Sequence, residues 1–144
     1  MKLQNRIAVY AGTFDPVTVG HLWMIKIGSN LFDKLIVAIG TNPEKKCYFS
    51  LKDRIAMLQE SITGYKNVTV DQYSNKFLIK YAECVGAKFI LRGIRSTSDY
   101  EYEKSLSYVN RHLNSKISTV ILLPPREMVE ISSSRVLNLS LFLS

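Results

Sequence analysis

The apolar positions of this chain fall into two rhythms that alternate along its length. Residues 6–10 "RIAVY", 35–40 "LIVAIG", 88–93 "KFILRG" and 117–123 "ISTVILL" are short, β-branched, nearly continuous apolar runs. Strands buried on both faces of a parallel sheet have this pattern. Residues 67–73, "NVTVDQY", alternate apolar and polar as a further strand would. Between these runs the spacing turns helical. Met24, Ile27 and Leu31 recur on one face before "NLFD", and Leu51, Ile55, Leu58 and Ile62 share a face behind Ser50, a good N-cap with Asp53 three residues on. Residues 77–85 "FLIKYAECV" predict a helix stopped by Gly86. Ser98 and Glu101 form a capping-box pattern ahead of the stripe Tyr102, Leu106, Val109 and Leu113, near a basic "NRH" that suits a helix C-terminus. Residues 124–130, "PPREMVE", read as a loop, and "ISSSRVLNL" as a strand or loop end turning into a helix.

Strand and helix alternate with short connections, which predicts an α/β fold with a doubly wound five-stranded parallel sheet, Rossmann-like. The 144 residues suit one domain, 1–144, with a core of its own. In such sheets ligands bind beyond the carboxyl ends of the strands, which directs attention to the residues that follow each run.

Composition changes this picture in three places. The apolar runs stop well short of the roughly 18 to 20 residues needed to span a bilayer, and the N-terminus has no long apolar stretch of the signal-peptide kind, so no membrane association is expected and a cytoplasmic location is. Cys47 and Cys84 are far apart and outside any C-x-x-C pair, which points away from a disulfide framework or a cysteine-rich zinc site. A formal charge of +7 suggests an anionic partner, for which a nucleotide, a phosphorylated metabolite and RNA are all chemically suitable.

The chemistry concentrates at residues 11–21, "AGTFDPVTVGH". Gly12 permits a tight turn, Thr13 brings a hydroxyl, Asp15 and Pro16 form a turn, and His21, one of only two histidines, stands where a helix starts. Free backbone N–H groups and the positive end of a helix dipole favour an anion at such a place. The spacing is neither G-x-G-x-x-G nor that of a P-loop. Taken alone, the segment also reads as a glycine-proline turn with a helix-capping histidine. Arg92 and Arg95 follow a buried strand at its carboxyl end, a position that favours a binding role.

This segment resembles the signature of the nucleotidyltransferase superfamily with a T/H-x-G-H motif, and within it phosphopantetheine adenylyltransferases. "KK" at 45–46, "RGIRSTSDYEYE" at 92–103, "NRHL" at 110–113 and "ISSSRV" at 131–136 are similar to that family in the same order, so the resemblance spans essentially the whole chain. It implies transfer of the adenylyl group of ATP to 4'-phosphopantetheine, giving dephospho-coenzyme A and pyrophosphate, a step of coenzyme A biosynthesis. By the same resemblance His21 is the catalytic residue, and ATP is bound by Thr13, Phe14, His21, Gly93, Ile94, Arg95, Glu103, Met128, Val129, Glu130, Ile131, Ser132, Ser133 and Ser134. Thr13, Lys45, Leu78 and Arg92 are the implied contacts of the acceptor. The family also implies Mg2+ accompanying ATP, no nucleic-acid or membrane partner, and a homohexamer. Its relatives run on beyond the serines, which implies a shortened C-terminus here, one rich in Leu137, Leu139, Leu141, Phe142 and Leu143. Such an end either packs on a neighbour or leaves the domain less stable than its relatives. Two further readings stay open from the residues: a nucleotidyltransferase with another acceptor, and an inactive nucleotide- or RNA-binding module.

Overall fold

A computed structural model describes residues 5–74 and 77–129. In chain order the elements are β1 (Ile7–Gly12), α1 (Val19–Leu31), β2 (Lys34–Thr41), α2 (Leu51–Ser61), β3 (Val68–Ser74), α3 (Leu78–Cys84), β4 (Phe89–Gly93), α4 (Thr97–Leu113), β5 (Ser118–Leu122) and α5 (Arg126–Val129). The strands form one sheet in the order β3-β2-β1-β4-β5, with every pairing parallel. The doubly wound architecture expected from the sequence is present. The chain winds outward in one direction from β1 to β3, then returns to the other side of β1 for β4 and β5. The switch point therefore lies between the carboxyl ends of β1 and β4, where such sheets hold their ligands.

The contiguous apolar runs have their explanation in the two faces of the central strands. On one face Ala8 and Tyr10 of β1 join Leu35, Val37 and Ile39 of β2 under Met24, Ile25, Leu58 and Ile62 from α1 and the α2 region. On the other, Val9, Ala11, Ile36 and Ala38 meet Ile79 and Ala82 of α3. The central positions of these strands are thus apolar because successive side chains point to opposite, covered faces.

Three local expectations are revised. The buried face of α1 is Met24, Ile25 and Gly28, rather than Met24, Ile27 and Leu31, and Leu31 is exposed. The helix approaches the sheet through Gly28, where a Cβ would stand 2.9 Å from both Leu35 Cδ2 and Leu91 Cδ2. A glycine contributes nothing to an apolar stripe, so the true face was hidden. The N-cap of α4 is Ser96, whose hydroxyl accepts from Asp99 N–H at 3.1 Å; the Ser98/Glu101 pattern already lies inside the helix. Ser96 wins because its backbone is extended, as an N-cap requires. Residues 126–129 form a helical turn rather than loop, with Met128 and Val129 N–H groups bonding to Pro125 C=O. Proline at the start of a helix forfeits no bond that the helix needs.

α4 also inverts the usual placement of its side chains. Glu103 and Asn110 are its buried residues, whereas Tyr102 (62% exposed), Val109 (55%) and Leu113 (43%) face outward. The expected stripe exists but does not enter this core. Among the described residues no helix is long and apolar enough to cross a membrane.

The close approach at Gly28 gives a test. Gly28→Val is expected to lower stability by about 2 kcal/mol or more, because both leucines it would strike are fully buried and overpacking of a tight core costs about 1–3 kcal/mol. The midpoint of thermal unfolding would fall by several degrees, and an unchanged midpoint would refute the tight contact.

Candidate active site

The loop after β1 is held in an unusual shape. Phe14 has φ 50°, in the left-handed region that bulky residues seldom occupy, and its ring turns back into the core, 2% exposed. Gly12 allows this, since a Cβ there would stand 3.1 Å from the Phe14 ring. The ring meets Tyr10 and His21 edge-on, at centroid distances of 5.4 and 4.9 Å. Burial raises the Tyr10 pKa, with Arg92 and Arg95 opposing, so Tyr10 remains a neutral phenol. The peptide bond between Asp15 and Pro16 is cis. Asp15 reaches across to the β2–α2 connection, accepting from Tyr48 N–H at 2.6 Å and Phe49 N–H at 2.8 Å.

At the start of α1, Thr18 and His21 cap each other. The Thr18 hydroxyl accepts from His21 N–H at 3.4 Å, and the Thr18 backbone N–H donates to His21 Nδ1 at 2.9 Å. A backbone N–H can only donate, so Nδ1 carries a lone pair and the ring proton of neutral His21 sits on Nε2. Burial, assisted by the nearby Arg95 charge, pushes the His21 pKa down from 6.5 to about 4. At neutral pH His21 is therefore an uncharged N–H donor of fixed tautomer, lining the crevice at the switch point.

From β4 comes Arg92. Its Nε and Nη2 donate to Glu103 Oε1 at 2.9 and 2.7 Å, and Nη1 donates to Ala11 C=O at 3.0 Å. Burial works to lower its pKa, but the hydrogen bond and charge of Glu103 outweigh it and leave the pKa raised. The guanidinium is thus fixed at the end of the sheet and always charged. Glu103 itself is 5% exposed, and its Oε2 is buried with no hydrogen-bond partner among the described residues. Arg95 is half exposed beside Asp99, at 3.7 Å between Nε and Oδ2.

Two crevices open here. The first, about 350 Å3, is lined by Thr13, His21, Arg92, Gly93, Arg95 and Met128 among others. That is within the range of about 300–1,000 Å3 usual for small-molecule sites. The second, about 410 Å3, lies over the β2–α2 connection and is lined by Thr13, Lys45 and Arg54 among others. Thr13 belongs to both, and Lys45 Nζ lies 3.1 Å from its hydroxyl.

The structure brings together Thr13, His21, Lys45, Arg92, Gly93, Arg95 and Met128 of the residues expected from the sequence. Others are placed differently. Phe14 forms the floor under His21, Glu103 braces Arg92, Ile94 N–H bonds to Leu122 C=O, and Val129 is half-buried on α5. Leu78 packs against the Val9, Ile36 and Ile79 cluster and lines neither crevice. Glu130, Ile131, Ser132, Ser133 and Ser134 lie outside the described residues. Sequence reasoning missed Thr18, which fixes the histidine tautomer, and Arg54, which is buried at the second crevice. A T-x-x-H cap was the available signal for Thr18, with histidine taking the place of the usual glutamate.

A crevice of small-molecule size at the switch point, faced by a helix N-terminus, a neutral imidazole donor and a braced arginine, defines an α/β domain that handles nucleotides. Residues 9–139 match the family model described as cytidylyltransferase-like. The chain is 55% identical over 129 residues to the phosphopantetheine adenylyltransferase of Chromobacterium violaceum, covering 90% of this chain and 79% of that one. It is 53% identical over 131 residues to the phosphopantetheine adenylyltransferase of Neisseria meningitidis, covering 91% and 77%. The fold is shared with a bifunctional NMN adenylyltransferase/ADP ribose pyrophosphatase from Francisella tularensis, at a TM-score of 0.64 and 16% identity, over 92% of this chain and 40% of that structure. The chain belongs to the cytidylyltransferase-like family and, within it, to the phosphopantetheine adenylyltransferases.

The depressed His21 pKa has a measurable sign. Between about 4 and 6.5 the unfolded chain binds a proton that folded His21 refuses. Its contribution to stability is therefore complete above about 6.5 and is lost as pH falls towards 4. In NMR titration the His21 ring should change state near pH 4, and a midpoint at 6.5 would contradict the buried, capped geometry.

Proposed function

We propose that the chain transfers the adenylyl group of ATP to the phosphate of 4'-phosphopantetheine. An acceptor phosphate oxygen attacks the α-phosphorus, a new P–O bond forms, and the bond to the bridging β-oxygen breaks to release pyrophosphate. The products are dephospho-coenzyme A and pyrophosphate. The observation that carries this reading is the His21 tautomer, which leaves an N–H donor at the N-terminus of α1, in a crevice that meets a second crevice at Thr13.

Negative charge grows on the non-bridging α-phosphate oxygens as the step proceeds, and fixed donors aimed at them lower the barrier without having to reorganise. In this reading His21 Nε2–H and the α1 N-terminus supply such donors, and ATP occupies the crevice over Gly93, Ile94 and Arg95. Phe14 supports the His21 ring, Glu103 holds Arg92, and Met128 with Val129 borders the nucleotide side. Thr13 and Lys45 orient the acceptor phosphate, Arg92 holds anionic oxygens between the two substrates, and Leu78, outside both crevices, would meet the acceptor only where the pantetheine arm runs beyond them. A neutral histidine suits this role, because it donates one bond while its inner nitrogen stays engaged by Thr18.

Mg2+ would arrive on the triphosphate and neutralise part of its charge. The residues fit an ion carried by the nucleotide better than a resident one. No cluster of three or more metal-ligating side chains occurs among the described residues, and Asp15 is engaged through both carboxylate oxygens by Tyr48 and Phe49 N–H.

A homohexamer in the cytoplasm accompanies this reading. Support for self-association comes from the outward apolar stripe of α4, an arrangement that a partner surface would cover. Cys47 and Cys84 are both free thiols, as suits a reducing compartment.

Pyrophosphate release from ATP should require 4'-phosphopantetheine, and release with no dependence on it would defeat the assignment. His21→Ala should lower kcat by roughly two to three orders of magnitude with a smaller effect on ATP affinity, the scale for loss of a transition-state donor. Turnover at the wild-type level would remove His21 from the step. Val109→Glu should shift the mass measured by light scattering towards smaller species, whereas an unchanged mass would take α4 out of the interface.

A further inference from the structure

Arg54 is a buried cation that forms no ion pair with a carboxylate among the described residues. It is 6% exposed and lies on α2. Its Nη1 donates to Thr13 C=O at 2.9 Å, and its Nε donates to Phe49 C=O at 3.2 Å. One guanidinium thus joins the loop after β1 to the connection before α2. Asp15 makes the reciprocal tie, from the first loop to the Tyr48 and Phe49 N–H groups. Thr13, whose carbonyl Arg54 holds, presents its hydroxyl 3.1 Å from Lys45 Nζ. All three residues line the second crevice.

Burying a charge without an ion-pair partner is costly, and such buried cations are rare unless something is gained from their position. A purely structural tie between two carbonyls could be made by neutral donors at lower cost. Leaving the charge without an ion pair beside the crevice keeps a positive potential there, to be balanced when an anion binds.

We propose that Arg54 is a positioning residue for the acceptor: it sets the Thr13 and Lys45 geometry and supplies the charge that draws the acceptor's phosphate into the second crevice. This rests on the reading of that crevice as the acceptor side. Arg54 acts through Thr13 and through its field, so its loss should appear in handling of the acceptor rather than of ATP. A displacement of about 1 Å in a positioning group can cost about 100-fold in rate.

The test is steady-state pyrophosphate release by the full chain with Arg54→Met, which keeps the apolar stem, and Arg54→Lys, which keeps the charge but loses the fork. Arg54→Met should raise the KM for 4'-phosphopantetheine by about 10-fold or more and lower kcat by about 10- to 100-fold, with the KM for ATP changed by less than about 3-fold. Arg54→Lys should recover part of the acceptor KM while kcat stays low. A lower unfolding temperature with a wild-type acceptor KM in Arg54→Met would overturn the proposal, as would equal losses towards both substrates. Should Arg54→Met fail to fold, the same comparison of the two KM values is made on Arg54→Lys, where an unaltered kcat and acceptor KM would overturn it. Calorimetric binding of inorganic phosphate separates this idea from the assigned reaction. If the wild-type chain shows no dependence on 4'-phosphopantetheine, the reaction assignment fails, while about 10-fold weaker phosphate binding by Arg54→Met still supports the role of Arg54. Equal phosphate binding by both proteins, or none by either, overturns it.

Discussion

Where β1 leaves the sheet, the carbonyls on either side of Gly12 need donors, and two arginines from distant parts of the chain supply them. Arg92 bonds to Ala11 C=O and Arg54 to Thr13 C=O. Buried backbone carbonyls without partners are destabilising, so this pair of bonds is a condition for ending the central strand in a turn as tight as this one. Everything at the site follows from it. The fixed turn lets the Phe14 ring fold under His21, aims Thr13 at both crevices, and delivers the chain to Thr18 in the extended conformation from which α1 begins. The same two side chains bring positive charge to the two crevices that open at this end of the sheet. Architecture and electrostatics are thus satisfied by one set of bonds.

Much of this was legible in the sequence because its signals are local. Buried parallel strands announce themselves as unbroken β-branched runs, and Ser50 with Asp53 forms the cap that it promised. The resemblance selected His21, Thr13, Lys45 and Arg92, and the fold brings these residues from two connections, the start of α1 and the end of β4 to one end of the sheet. What stayed hidden was non-local. Asp15 looked like a turn former, yet its carboxylate works 33 residues away. Arg54 sits among helical positions where arginine is ordinarily exposed, and nothing in its neighbours along the chain reveals its burial.

The helix faces show a second limit. Periodicity locates a stripe but not the surface that it meets. For α1 the stripe was displaced because closest contact runs through a glycine, which carries no hydrophobic signal. For α4 the inward face was the surprise, since Glu103 and Asn110 are turned to the domain while Tyr102, Val109 and Leu113 of the stripe face away from it. Overlapping capping patterns at Ser96 and Ser98 had a similar cause: each has an acidic residue three positions on, and only the backbone conformation chooses between them.

The reciprocal cap of Thr18 and His21 has a consequence for how the site comes into being. Helix initiation is the unfavourable step in forming a helix, because several dihedral angles are fixed before many bonds reward them. Here the first turn of α1 closes on the imidazole itself, so nucleating the helix and selecting the ring tautomer are one event. The donor nitrogen is ready as soon as the turn is formed, before any substrate has arrived to organise it.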